Sequence, residues 1–307
     1  IQAAVDAAHA GDTIRLAPGT FHESVMITKP LRLVGSGRST VLKPGGTPND
    51  CTPNGVCVFT PGGKVSIRNL TVRNFTGFGV VASGATKGFR VTGVRAIDDG
   101  EYGIAAFESH GIAWTDNFAR NALEAGFYVG DTPNASAIVT GNKSVGSSFG
   151  FFLRDSRHGV VAGNVATGNC IGILGLDTAE EAETVGNVSA GDWRLVGNRV
   201  RNNTRACPAN EEAPPLSGVG VALVGPDDYV ISGNIITGNT PSGETAFSGG
   251  VAVVDSTDLA GGTTPNDNVV RGNIIKGNDP DILYDGSGSG NVFAHNNCSS
   301  SVPPGLC

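Results

Sequence analysis

One heptapeptide phrase occurs three times in full in this chain: Gly163-Asn164 to Gly168-Asn169, Gly233-Asn234 to Gly238-Asn239 and Gly272-Asn273 to Gly277-Asn278. Each is a Gly-Asn pair, three residues and a second Gly-Asn pair. Looser copies occur at Arg68-Asn69 to Arg73-Asn74, Asp116-Asn117 to Asn121, Gly141-Asn142 to Ser147 and Gly197-Asn198 to Asn202-Asn203, with a degenerate one at Gly93-Val94 to Asp98-Asp99. A Gly-Asn pair tolerates positive φ and marks a sharp bend. Three residues between two bends, often β-branched as in Ile235, Ile236 and Thr237, are too few for a helix and suit a short strand.

After the second bend most copies run into another apolar stretch that ends in a carboxylate. Examples are Gly103 to Glu108, Gly126 to Asp131, Gly150 to Asp155, Gly172 to Asp177 and Gly250 to Asp255. Each repeat therefore carries three strands. One repeat cannot bury its own apolar side, and stacking copies along an axis does so. Equivalent residues then lie about 4.8 Å apart, and stacked Asn amides bond one another as a ladder. The pattern predicts an all-β, single-domain parallel β-helix spanning residues 1–307.

The phrase, the three-strand coil and the segment Ala17-Pro-Gly-Thr-Phe-His-Glu23 resemble the right-handed parallel β-helix repeat proteins of the pectin-lyase-like superfamily. The resemblance covers almost the whole chain and implies a right-handed coil. Its members include polysaccharide lyases, uronan epimerases, glycoside hydrolases, pectin methylesterases, phage tailspikes and non-catalytic surface proteins, so the fold leaves activity open. The Asp-Pro-His motif of the alginate epimerases is absent here.

Residues 1–11 read as an amphipathic helix closing one end of the solenoid, because an open end exposes core and strand edges. Thr13 to Leu16, Ser24 to Ile27 and Leu31 to Val34 are expected as the first three strands. Residues 43–63 read as a Pro/Gly-rich surface flap, and 296–307 as a second cap. Insertions at 178 to 191, 204 to 217, 240 to 248 and 256 to 267 all flank the carboxylate-ended strand. Loops gathered on one face of a solenoid commonly make its binding face.

The net charge of −7 and the lack of any Lys/Arg cluster in the sequence argue against nucleic acid. No apolar run is long enough to span a membrane. The six cysteines allow fifteen pairings. Their grouping favours Cys51 with Cys57, Cys170 with Cys207 and Cys298 with Cys307, and none has the CxxC spacing of a zinc site. Disulfides predict an oxidising compartment and a secreted, extracellular protein. A monomer is expected.

On the carboxylate-ended strand, taking Ile104, Phe127, Phe151, Ile173, Val221 and Val251 as inward turns Ala105, Tyr128, Phe152, Leu174, Ala222 and Ala252 outward. Phe107, Gly130 and Arg154 then also face out. The carboxylates Glu108, Asp131 and Asp155 stack at the strand end. Like charges at one-coil spacing need compensation, so they are candidates for calcium, the one cofactor the sequence suggests. The alternative is a set of Asx-type turns.

These coils also bring together Arg154, Arg157, His110, His158 and Tyr128. Chemistry on a uronic acid needs a cation for the carboxylate, a base for the C5 proton and an acid for the leaving oxygen or opposite face. Arg154 or Arg157 suits the first role, His110, His158 or Arg157 the second, and Tyr128 the third. Hydrolysis would use a carboxylate pair such as Asp131 and Asp155. Phe107, Glu108, Phe152 and Leu174 are candidate substrate contacts. The partner expected is a polysaccharide or oligosaccharide, and the activity a lyase or C5-epimerase of an acidic polymer. The alternatives are a non-catalytic carbohydrate-binding protein, a glycoside hydrolase, or an enzyme on a small apolar substrate.

Overall fold

The computed structural model describes residues 1–84, 86–179, 190–211 and 213–307. Within them the chain winds as a right-handed parallel β-helix. The first coil places Thr13–Arg15 in sheet 1, Gly19–His22 in sheet 2 and Val25–Ile27 in sheet 3. Later coils stack on it in register: Thr13 pairs with Arg32, Gly19 with Thr40 and Val25 with Val56, all in parallel. Leu31 to Val34 therefore opens the second coil rather than ending the first, and Gly19–His22 is the strand that the sequence reading passed over. Its Phe21 packs against the core while its neighbours face water.

Sheet 2 has ten strands, ending at Ile274–Lys276. Sheets 1 and 3 fuse into 21 strands through one long strand, Phe149–Ala162. That strand pairs with Ala125–Thr132 in sheet 3 and with Ala137–Thr140 in sheet 1.

The Asn ladder forms. Asn117 Nδ2 donates to Asn142 Oδ1 at 2.9 Å, and the chain of amides continues through Asn164, Asn198, Asn234 and Asn273 to Asn296. A second ladder runs from Asn169 through Asn203 and Asn239 to Asn278. The residue before each ladder Asn sits in the left-handed region: usually a glycine, as at Gly163 (φ 63°) and Gly168 (φ 69°), and otherwise Asp116, Asn202 or His295. Asn69, Asn74 and Asn121 take that left-handed place themselves, at φ 54°, 64° and 54°. They are thus one residue out of the expected register, since Asn satisfies both roles. Leu70 and Val94 fill the ladder column there, and the first amide rung is Asn117, which accepts the Val94 N–H.

The cap helix is short, Gln2–Ala7, with Val5 buried against the first coil. The flap expected at 43–63 is interrupted by Val56–Phe59, which joins sheet 3 because Val56 and Val58 alternate into the core. Ser301–Val302 adds a last strand to sheet 3 beside Leu283. The disulfides Cys51–Cys57, Cys170–Cys207 and Cys298–Cys307 pair as expected. Of the insertion expected at 178 to 191, residues 180–189 lie outside the described residues.

Candidate functional site

Sheet 3 keeps the alternation read from its sequence. Ile104, Phe127, Phe151, Ile173 and Val221 stack in one column, and Ala105, Tyr128, Phe152, Leu174 and Ala222 in the next. The first column lies in the solenoid core. The second faces out, yet it is not a wet surface: Tyr128 is 1% exposed, Phe152 4% and Leu174 4%. This corrects the expectation of an exposed row. Insertions cover these residues and close a second apolar core with them. The covering pieces come from 205–216, where Cys207 and Leu216 bridge each other, from Phe247, and from the short helix Thr257–Ala260.

Beneath that cover is a cavity of about 920 Å³. Its floor is an aromatic layer. Tyr102 stacks on Tyr128 with ring centroids 4.5 Å apart, Phe107 lies 4.8 Å from Tyr128, and Phe152 meets Tyr128 edge-on at 5.2 Å. Gly130 allows this arrangement, because a Cβ there would collide with the Tyr128 hydroxyl. The ring therefore lies back over Gly130, between the outward places of Phe107 and Arg154. Polar groups interrupt the apolar wall at Glu101, Glu124, Arg154, Thr178, Arg205 and Asn210.

Arg154 is aimed by its neighbours: its Nε lies 3.1 Å from Asp155 Oδ2. Asp155 is buried and also accepts the Thr178 N–H at 2.8 Å and the Thr178 hydroxyl at 2.6 Å. Burial pushes the Tyr128 hydroxyl far above its ordinary range, with Asp131 adding to the shift and Arg154 opposing it. Tyr102 is raised likewise, by burial first and then by Glu124, to which its hydroxyl is hydrogen-bonded. Both phenols therefore hold their protons at neutral pH and act as donors.

Of the residues singled out in the sequence, Phe107, Tyr128, Phe152, Arg154 and Leu174 line this cavity. Glu108, Asp131 and Asp155 stack as expected, each with positive φ (46°, 56° and 43°). They sit at the strand-end turn, off the cavity lining. The Asx reading holds at Asp255 and Asp177, which accept the Thr257 and Ala179 N–H groups. His110, Arg157 and His158 fall beyond that turn, on the way into sheet 1. There His158 Nδ1 meets Asp192 Oδ2 at 2.6 Å and Arg157 meets Asp228 at 3.1 Å. Among the described residues, no three His, Cys, Asp or Glu side chains are placed to hold a metal ion. Tyr102, Glu124 and Arg205 were missed. Their only signal was position: Tyr102 opens one strand of sheet 3, Glu124 precedes the next, and Arg205 lies at the start of an insertion.

A coiled stack of parallel strands with two Asn ladders and loops gathered over one sheet defines a β-helix repeat protein. A family model described as periplasmic copper-binding protein (NosD) matches residues 6–194. That is more than half of the chain, and the chain belongs to this family. No curated protein matches it. Solved structures share the fold. The mannuronan C-5 epimerase AlgE4 A-module of Azotobacter vinelandii aligns over 98% of this chain and 95% of its own, with a TM-score of 0.62 and 19% identity. The DFA-IIIase of Arthrobacter chlorophenolicus aligns over 94% and 84%, at 0.63 and 13%. A mutant form of the periplasmic alginate epimerase AlgG aligns over 92% and 77%, at 0.57 and 15%. No helix among the described residues is long and apolar enough to cross a membrane. Three disulfides fit a protein of the periplasm or the extracellular space.

Proposed function

We propose that this chain is a carbohydrate-active β-helix protein that takes an acidic sugar into the cavity over sheet 3. The observation that carries the reading is the aromatic floor of Tyr102, Phe107, Tyr128 and Phe152 with Arg154 at its edge. Aromatic faces receive the C–H face of a pyranose, and a guanidinium recognises a carboxylate. With Arg154 neutralising the uronate carboxylate, Tyr128 is the proton donor. The carboxylate of Glu124, which already accepts the Tyr102 hydroxyl, takes the C5 proton. This is lyase or C5-epimerase chemistry. It fits what the names of two structural neighbours say of those proteins, and both proton carriers belong to one coil, Glu124 just before the strand that carries Tyr128.

Copper, named in the family's description, does not fit these residues. All six cysteines are in disulfides, the chain has one Met, and the described residues gather no ligand set. No step is assigned to it. Calcium at Glu108, Asp131 and Asp155 stays a proposal, read by running each assay with calcium and with chelator.

The test follows ultraviolet absorbance of the unsaturated uronate on pectic, alginate and glycosaminoglycan polymers, with proton NMR of the products for epimerisation. Turnover that Arg154→Ala and Tyr128→Phe both lower by roughly 100-fold supports the reading. Turnover untouched by either substitution removes the site from this cavity. A second reading rests on how apolar the wall is, with Leu174, Leu216, Phe247 and Leu259 beside the aromatics: a small amphipathic substrate with one anionic group. A fluorescent carboxylate of that kind, displaced or not by uronates, separates the two.

A further inference from the structure

Sheet 2 lies on another face of the solenoid and carries a charge pattern of its own. None of its ten strands contains Asp or Glu, in a chain of net charge −7. Their central residues, such as Val72, Ala96, Val200 and Ile236, are buried in the core, and their flanking residues point outward. One outward column runs Arg95, Phe118, Lys143, Val165, Arg199, Ile235 by strict register. Cation and apolar side chain alternate along it. With coils about 4.8 Å apart, its cations recur at roughly 10 Å.

In the adjoining outward column Arg73 and Arg120 are engaged, both reaching Asp98, at 3.6 and 3.3 Å. Arg95, Lys143 and Arg199 make no ion pair among the described residues, and Lys143 and Arg199 are exposed. Arg95 lies 4.3 Å over the Phe118 ring. Ile235 at the far end is 39% exposed.

We propose that this face is a docking strip for an extended polyuronate lying along the solenoid axis. A 1,4-linked uronate ribbon with two-fold symmetry turns a carboxylate to the same side at every second sugar, and each pyranose advances by about the rise of one coil. Carboxylates then meet Arg95, Lys143 and Arg199 in turn. The intervening rings rest on Phe118, Val165 and Ile235. A nucleic acid strand fits poorly, since it carries a phosphate about every 3.4 Å, roughly three for each cation of the column. The strip goes beyond the cavity reading and stands on sheet 2 alone. It would hold a polymer while the cavity works on one end or one unit of it.

The experiment is calorimetric binding of polygalacturonate and polymannuronate oligomers long enough to span the strip, with dextran and duplex DNA as controls. Both uronates should bind, more weakly as salt rises, and dextran should not. Arg95→Gln with Lys143→Gln and Arg199→Gln should weaken uronate binding about tenfold, as loss of three exposed charge pairs implies. In an Arg154→Ala background the same three substitutions should weaken binding by the same factor, which separates the strip from the cavity. Lys143→Glu alone, at an exposed place, gives the same direction should the triple variant melt early. Equal affinity of these variants and the wild type would overturn the strip, as would tighter binding of DNA than of uronates. Strip binding without turnover would sink the cavity reading alone, and turnover without strip binding the reverse.

Discussion

At the scale of single residues, the amide of Asn198 shows why the repeat tolerates so few substitutes. Its Nδ2 donates to Asn234 Oδ1 and to the Val161 carbonyl, while its Oδ1 accepts from the Asn164 amide and the Asn164 N–H. These groups are buried, so removing the side chain strips the Asn164 donors of their acceptor on one neighbouring coil and the Asn234 Oδ1 acceptor of a donor on the other. Asn198→Ala should cost about 2–5 kcal/mol, seen as a lower denaturation midpoint in urea. Asp99 is the opposite case. It fills a ladder place with a carboxyl whose Oδ1 accepts the Phe75 N–H and whose Oδ2 has no partner among the described residues. Burial, then Asp98, push its pKa from 3.8 up to about 8 against the Phe75 hydrogen bond. The fold thus favours the neutral form. Its contribution is whole below pH 3.8 and is lost as pH climbs towards 8, while the unfolded chain releases the proton early. Asp99→Asn should stabilise the protein by roughly 1–3 kcal/mol at about pH 8 and hardly at all at about pH 3.5, as compared by urea unfolding at both values. The sequence made the ladder legible and left its start unclear. Asn69 and Asn74 look like rungs because the same side chain suits a left-handed bend and a buried amide stack.

At the scale of elements, strand alternation on sheet 3 was fully readable. Ile104 to Val251 went in and Tyr128 to Ala252 went out, because a period of two needs only local sequence. What covers the outward face was not readable. Phe247 and Leu259 reach the cavity from coils far along the chain, and no period announces them. The disulfide Cys170–Cys207 ties one part of that cover to the floor, with Cys170 buried beside Ile171. Cys170→Ser with Cys207→Ser should lower stability by about 2–4 kcal/mol. It should also make the 205–216 segment the first site of proteolytic cutting, which a timed digest with mass spectrometry reads directly.

At the scale of the whole molecule, net charge says little about any one face. A value of −7 and no basic run argue against nucleic acid, yet stacking gathers Arg95, Lys143 and Arg199, far apart in sequence, into one line. A solenoid makes neighbours of residues one coil apart, so charge patches must be sought across repeats rather than along the chain. The same stacking sets Tyr102 on Tyr128 and Tyr128 against Phe152, and the proposed function rests on that aromatic floor with its arginine. The most direct test of that claim is calorimetric titration of a short uronate oligosaccharide, too short for the strip on sheet 2, into the wild type and Arg154→Ala. Binding that the substitution weakens by about tenfold or more, with the fold intact by circular dichroism, is the predicted result. Binding of equal strength in the two proteins, or none to the wild type, would contradict the account.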